Sequence, residues 1–159
     1  MGRCGIGKGP IFTDDETVMI SGTASLDTSV VVRLLVGQPT EQYRRATHFL
    51  RERLATQNSV HVSDLVLAEV YFALQGFYQL PKTDALAALA LFVQHSGVTV
   101  TPVARTVLAV RKLATAKPGF VDRLIHGTSH AEGHTLITFE KASKKLPFTF
   151  VLTSELPIP

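Results

Sequence analysis

From about residue 19 to residue 152 the chain alternates short extended runs with helical stretches, and this alternation limits the possible folds more than any other feature. Residues 24–26, 59–63, 98–101, 135–139 and 148–152 read as strands. Between them, the apolar run 30–36 continues as a helix that stops near Gly37 and Pro39. Thr40 then opens a helix with Tyr43, Ala46, Leu50 and Leu54 at helical spacing, and Asp64 stands as an N-cap for 65–74. A helix over 83–95 ends at Gly97. Pro102 opens another to about Ala116, and 121–132 forms a last one ending at Gly133. Strands separated by helices, often in pairs, predict an α/β domain built on a mainly parallel sheet.

At 159 residues the chain has the length of one ordinary domain. Residues 1–18 hold four glycines, a proline and Asp14-Asp15-Glu16 without periodicity, which predicts a flexible leader before a single domain over 19–159. Met19 is an alternative start. Gly2, Gly7 and Lys8 have the spacing of a phosphate-cradling loop. Gly9 then replaces the hydroxyl residue such a loop needs, and no strand precedes it. Cys4 is the only cysteine, so neither an intramolecular disulfide nor a thiolate zinc site is available, which fits a reducing cytoplasm. No apolar stretch reaches membrane-spanning length, and the first 20 residues lack the apolar core of a secretory signal.

Three acids stand among core-forming residues. Asp27 lies between Ala24-Ser25-Leu26 and Val30-Val31-Val32. Glu69 lies within an almost wholly apolar stretch from Leu65 to Leu74, and Asp122 within Phe120-Val121-Asp122-Arg123-Leu124-Ile125. A carboxylate in such company is costly to bury unless a cation or hydrogen bonds compensate it. Glu69 has no Lys or Arg three or four residues away on either side, so no helical ion pair serves it. Asp27 ends the first strand and Glu140 follows Thr138-Phe139 at the end of a later one, while Asp122 begins a helix after a Pro-Gly loop. Sites of open parallel sheets form beyond the carboxyl ends of the strands, so the four acids are expected on one face. Hard oxygen ligands in that number suit Mg²⁺ or Mn²⁺, and a bound divalent ion activates water for attack on a phosphodiester.

Leu26-Asp27-Thr28-Ser29-Val30, Leu67-Ala68-Glu69-Val70, Phe120-Val121-Asp122 with Leu124-Ile125, and Thr138-Phe139-Glu140 together resemble the ordered acidic motifs of PIN-domain nucleases. The resemblance runs from about residue 24 to residue 152 and is nearest to the VapC-type ribonuclease toxins of bacterial toxin–antitoxin pairs. It implies an α/β/α sandwich, Mg²⁺- or Mn²⁺-dependent endoribonuclease activity, a homodimer, and inhibition by a small protein antitoxin. Carried over, Asp27, Glu69 and Asp122 are the metal-binding acids and Glu140 takes the fourth acidic place. Thr28 or Ser29 sets a hydroxyl beside the metal-bound water. The pattern departs from the family at Glu140, where Asp is usual, and at Arg123, where a small residue is common. Both departures leave a catalytically weak or inactive PIN module, binding RNA or a protein, as the alternative.

Arg123, Lys141, Lys144 and Lys145 flank the acids and are expected to contact an RNA backbone. The arginines at 44, 45, 51 and 53 read first as a solvated helix face, with phosphate contacts as the alternative. Tyr71, Phe72, Phe77 and Tyr78 divide between core packing and a dimer or antitoxin groove. His126, His130 and His134 share a four-residue spacing, but Gly127 and Gly133 weaken the helix, so partly exposed or packing histidines are expected rather than zinc or nickel ligands. A haloacid-dehalogenase-type phosphatase would want an acid where Ser29 stands. The overall charge is only +3, from 16 Lys+Arg and 13 Asp+Glu. If four of those acids line a metal pocket, nine remain against 16 bases, an exterior suited to an RNA backbone.

Overall fold

The computed structural model describes residues 22–152; the leader expected at residues 1–18 lies outside them. The order of elements is β1 (Ala24–Ser25), α1 (Thr28–Val36), α2 (Thr40–Ala55), β2 (Val60–His61), α3 (Asp64–Gly76), α4 (Lys82–Gln94), β3 (Val98–Thr99), α5 (Pro102–Leu108), α6 (Phe120–Ala131), β4 (Leu136–Thr138) and β5 (Thr149–Val151). A 3-10 turn over Lys141–Lys145, absent from the sequence expectation, links the last two strands. This is the α/β arrangement that the alternation predicts, and it agrees with the fold that the resemblance implies.

Every strand pairing is parallel. One sheet runs β1-β2-β3, with Ala24 opposite Val60 and Val60 opposite Val98; β4 and β5 form a second, with Ile137 opposite Phe150. The expected sheet is thus present as two parallel pieces. Val60, Val62 and Val98 from the first sheet meet Val31, Leu67, Val70, Leu74, Leu89 and Phe120 from the helices in one buried core. Burying each of those side chains contributes about 1.5–3 kcal/mol, before the entropy of ordering it is subtracted.

Helix boundaries follow local chemistry. Asp27 accepts from Val30 N and caps α1, while Gly37 ends it at φ 77°, a conformation that glycine adopts without strain. Ser63, not Asp64, caps α3 by accepting from Val66 N. Asp64 is thereby free to receive the hydroxyls of Thr101 (2.6 Å) and Thr128 (3.2 Å), tying the starts of α3 and α5 to α6. Helix α5 stops at Leu108 rather than near Ala116; turns follow, and Lys112 at φ 56° cannot continue a right-handed helix. Gly127 does not break α6. A Cβ there would stand 2.5 Å from Val103 Cγ1, so the glycine is what lets α6 approach α5.

The solvated arginine face of α2 holds for Arg44, Arg45 and Arg51 and fails for Arg53. Arg53 is 6% exposed and donates to the carbonyls of Gly22 and Ser59, because the chain entering β1 and β2 passes over the end of α2. Among the described residues no helix is long and apolar enough to cross a membrane.

Candidate functional site

Strands β1 and β2 are parallel neighbours, so the helices that follow them start at the same end of the sheet. Helix α1 packs against α3 there, bringing Asp27 and Glu69 to one cleft of about 550 Å³ lined also by Thr28, Ser29, Arg33, Phe77 and Tyr78. The two acids are linked through their neighbours. The Thr28 hydroxyl donates to Glu69 Oε2, and the Ser29 hydroxyl donates to Asp27 Oδ1 at 2.9 Å. Both hydroxyls therefore orient carboxylates rather than float in the cleft. The Val30 N–H, followed by the Ser29 hydroxyl, holds the Asp27 carboxyl below its usual range, so it is ionised at neutral pH.

The acids are not buried, which corrects the expectation drawn from their apolar surroundings. Asp27, Glu69 and Asp122 are all exposed; Glu140, which the sequence reads as a loop acid beside lysines, is exposed as well. Helix α3 explains why the sequence misleads. Leu67, Val70, Tyr71 and Leu74 form its buried stripe, yet Leu65 and Phe72 on the other side are 71% and 58% exposed. Glu69 thus stands on an open apolar face, at the border between the acidic cleft and a second groove of about 500 Å³ between α3 and α6. Its neighbours there include Val121, Leu124 and Ile125.

Asp122 and Glu140 are engaged locally. Asp122 lies in the first turn of α6 and accepts from Gly119 N at 3.3 Å, one residue from the Val121 that lines the groove bordered by Glu69. Glu140 caps the 3-10 turn, accepting from Ala142 N at 2.9 Å. Among the described residues no three acids or histidines come together as a ready metal-binding group. The cleft instead offers two carboxylates with their hydroxyl partners. Mg²⁺ is commonly held by one or two carboxylates while keeping several waters, so this oxygen donor set fits such an ion.

Of the expected RNA contacts, Lys141, Lys144 and Lys145 are exposed on the 3-10 turn. Arg123 is half-buried and donates from Nε to Pro118 O at 2.9 Å, which commits part of its guanidinium to the Pro-Gly loop. His126 is 8% exposed, its Nε2 lies 2.8 Å from Pro147 O, and its ring stacks on His130, which in turn stacks on Phe148. His126 is a packing histidine and His130 a partly stacked, exposed one; the helix carries both because Gly127 does not interrupt it.

Arg33 is the cleft residue that sequence reasoning missed. It is the sole charged residue of α1 and lies four positions after Ser29, on the same helical face. That pairing was the available signal.

The comparisons with known proteins bear on this geometry. A profile of the PIN domain matches residues 24–148. No curated protein and no solved structure matches the chain significantly. The matched span takes in Asp27, Glu69, Asp122 and Glu140 and covers most of the sequence, so the chain belongs to the PIN-domain family, whose members are generally nucleases.

Proposed function

We propose that this protein is a Mg²⁺- or Mn²⁺-dependent endoribonuclease, the toxin of a two-component toxin–antitoxin pair. The observation that carries the reading is the Asp27–Glu69 pair, brought together by the Thr28 hydroxyl on Glu69 at the carboxyl end of a parallel sheet. Asp27 and Glu69 would hold the ion, with Asp122 as the third acid and Glu140 in the fourth place. When bound, such an ion supplies water activation and neutralises charge developing on phosphorus. The chain's own residues do the rest. Thr28 and Ser29 fix the carboxylate orientations. Lys141, Lys144 and Lys145 draw in the RNA backbone, assisted by whatever donors Arg123 retains. Water adds to phosphorus as the bond to the 3′ oxygen breaks, leaving a 3′-hydroxyl and a 5′-phosphate.

A small protein antitoxin, a homodimeric state and a cytoplasmic setting accompany this reading. Leu65, Phe72 and Ile125, each more than half exposed on α3 and α6, are apolar surface available to a second copy. The second reading is a PIN module that binds RNA or protein without cleaving. It is favoured by one observation: no three acids assemble among the described residues.

Purified protein, free of any antitoxin, incubated with structured RNAs and Mg²⁺ or Mn²⁺ tests the proposal. Cleavage abolished by EDTA and by Asp27→Asn is the expected result. RNA binding by both proteins with no cleavage by either would establish the binding module instead.

A further inference from the structure

The acidic cleft continues into a basic and aromatic end that metal chemistry does not use. Arg33 is half-buried there, its Nε donating to Gln42 Oε1 at 2.6 Å and one terminal nitrogen to the Tyr78 hydroxyl at 3.1 Å. Among the described residues no carboxylate lies within ion-pair distance of it, although Asp27 and Glu69 line the same cleft. A guanidinium carries five N–H donors, so Arg33 has further donors to offer an anion. Its two neutral partners hold it in place without cancelling its charge.

The Tyr78 ring meets the Phe77 ring edge to face, with centroids 4.9 Å apart. Phe77 is 80% exposed, so its ring does not serve the core. Its backbone N–H donates to Ala73 O at the end of α3, which fixes the main chain from which the ring projects. Gln42, Arg33, Tyr78 and Phe77 thus form a connected series running from a fixed cation to an open aromatic face, beside the two acids.

We infer that this end of the cleft is a subsite for one unpaired nucleotide next to the scissile bond, with Phe77 stacking on its base and Arg33 binding its phosphate. The inference rests on the ribonuclease reading, since it is the Asp27–Glu69 pair that places the scissile bond. Every base has a π-face, so the subsite demands single-stranded RNA while tolerating different bases. A purely apolar protein segment would leave the Arg33 charge without a counter-ion, which favours RNA as the occupant. Phe77 is then a specificity-determining residue and Arg33 a phosphate-binding one.

Cleavage kinetics on a single-stranded oligoribonucleotide test this, using the wild-type chain, Phe77→Ala, Phe77→Trp, and matched substrates carrying one abasic nucleotide at each position around the cut. Base–aromatic stacking predicts that Phe77→Ala raises KM by about 5- to 100-fold with kcat within about threefold, and that Phe77→Trp restores KM. One abasic position should weaken the wild type by the same factor and cost Phe77→Ala nothing more. An unchanged KM in Phe77→Ala, or abasic and Phe77→Ala losses that multiply, would overturn the subsite while leaving the nuclease reading intact. So would a Phe77→Ala protein that cleaves normally but loses a protein partner. If the wild type cleaves nothing, fluorescence anisotropy with the same oligonucleotides separates the two claims. Binding weakened by Phe77→Ala keeps the nucleotide contact at Phe77 but overturns its place beside a scissile bond together with the nuclease; binding indifferent to Phe77→Ala removes both.

Discussion

Asp27 and Glu69 differ from Asp122 and Glu140 in what their carboxylates are doing. The first pair comes from two helices that begin at neighbouring strand ends, is tied together by Thr28, next to Asp27, whose hydroxyl donates to Glu69, and faces a shared cleft. The second two each accept a backbone N–H of their own loop or turn, Gly119 for Asp122 and Ala142 for Glu140. All four occupy motifs in the same order, and all four are exposed. Asp27 also caps its own helix, a local need, but Glu69 is held by a residue 41 positions away, and that contact serves the fold. The contrast teaches that one motif pattern contains groups of unequal commitment, and mutation can measure the inequality.

The largest effect belongs to the first pair. Asp27→Asn and Glu69→Gln should each lower RNA cleavage by at least about 100-fold, since a ligand matters at least as much as the partners that orient it. Asn caps a helix about as well as Asp, so thermal denaturation of Asp27→Asn should show a Tm within about 2 °C of wild type. Asp122→Asn preserves an acceptor for Gly119 N and is expected to cost about 10-fold, within the range for groups that tune a metal site. A loss as deep as that of Asp27→Asn would break the comparison by moving Asp122 into the first pair.

Replacing Lys141, Lys144 and Lys145 together with Ala should act on binding alone. Three lost phosphate contacts flatten the slope of log affinity against log salt by about 2 for single-stranded RNA, read by anisotropy over a salt series. Glu140→Gln retains the cap to Ala142 N, and cleavage within about threefold of wild type is expected.

The smallest effect is a pH dependence of stability. The folded-state pKa of Asp27 is depressed, so its contribution is present above the usual carboxylate range and is lost as pH falls through the lowered value. Asp27→Asn should therefore be slightly less stable than wild type at neutral pH and indistinguishable from it in strong acid. Because Asp27 is exposed, solvent screening keeps that difference to about a degree or two in Tm.

Much of this molecule is legible in its sequence because its signals are local. The strand-and-helix alternation, the stop at Gly37 and the Pro102 start all depend on neighbours a few residues away. Asp27, Glu69, Asp122 and Glu140 are recognisable as an ordered set for the same reason. What fails is anything that depends on which face an element turns outward. Glu69 reads as buried because α3 is apolar nearly all round, yet that helix leaves Leu65 and Phe72 open. Arg53 reads as solvated because arginines surround it, yet the chain entering β1 and β2 covers it. Arg33 becomes visible as a cleft residue only when Tyr78, 45 positions on, arrives at its guanidinium.

Whether Asp27 and Glu69 make one cation site is the claim on which the rest depends. Titration of Mn²⁺ into the protein, followed by electron paramagnetic resonance, measures it without requiring that the RNA substrate be known. One Mn²⁺ per chain, competed by Mg²⁺ and lost in both Asp27→Asn and Glu69→Gln, is the predicted result. Wild-type protein that binds no Mn²⁺, or binds it undiminished in both variants, would contradict the account.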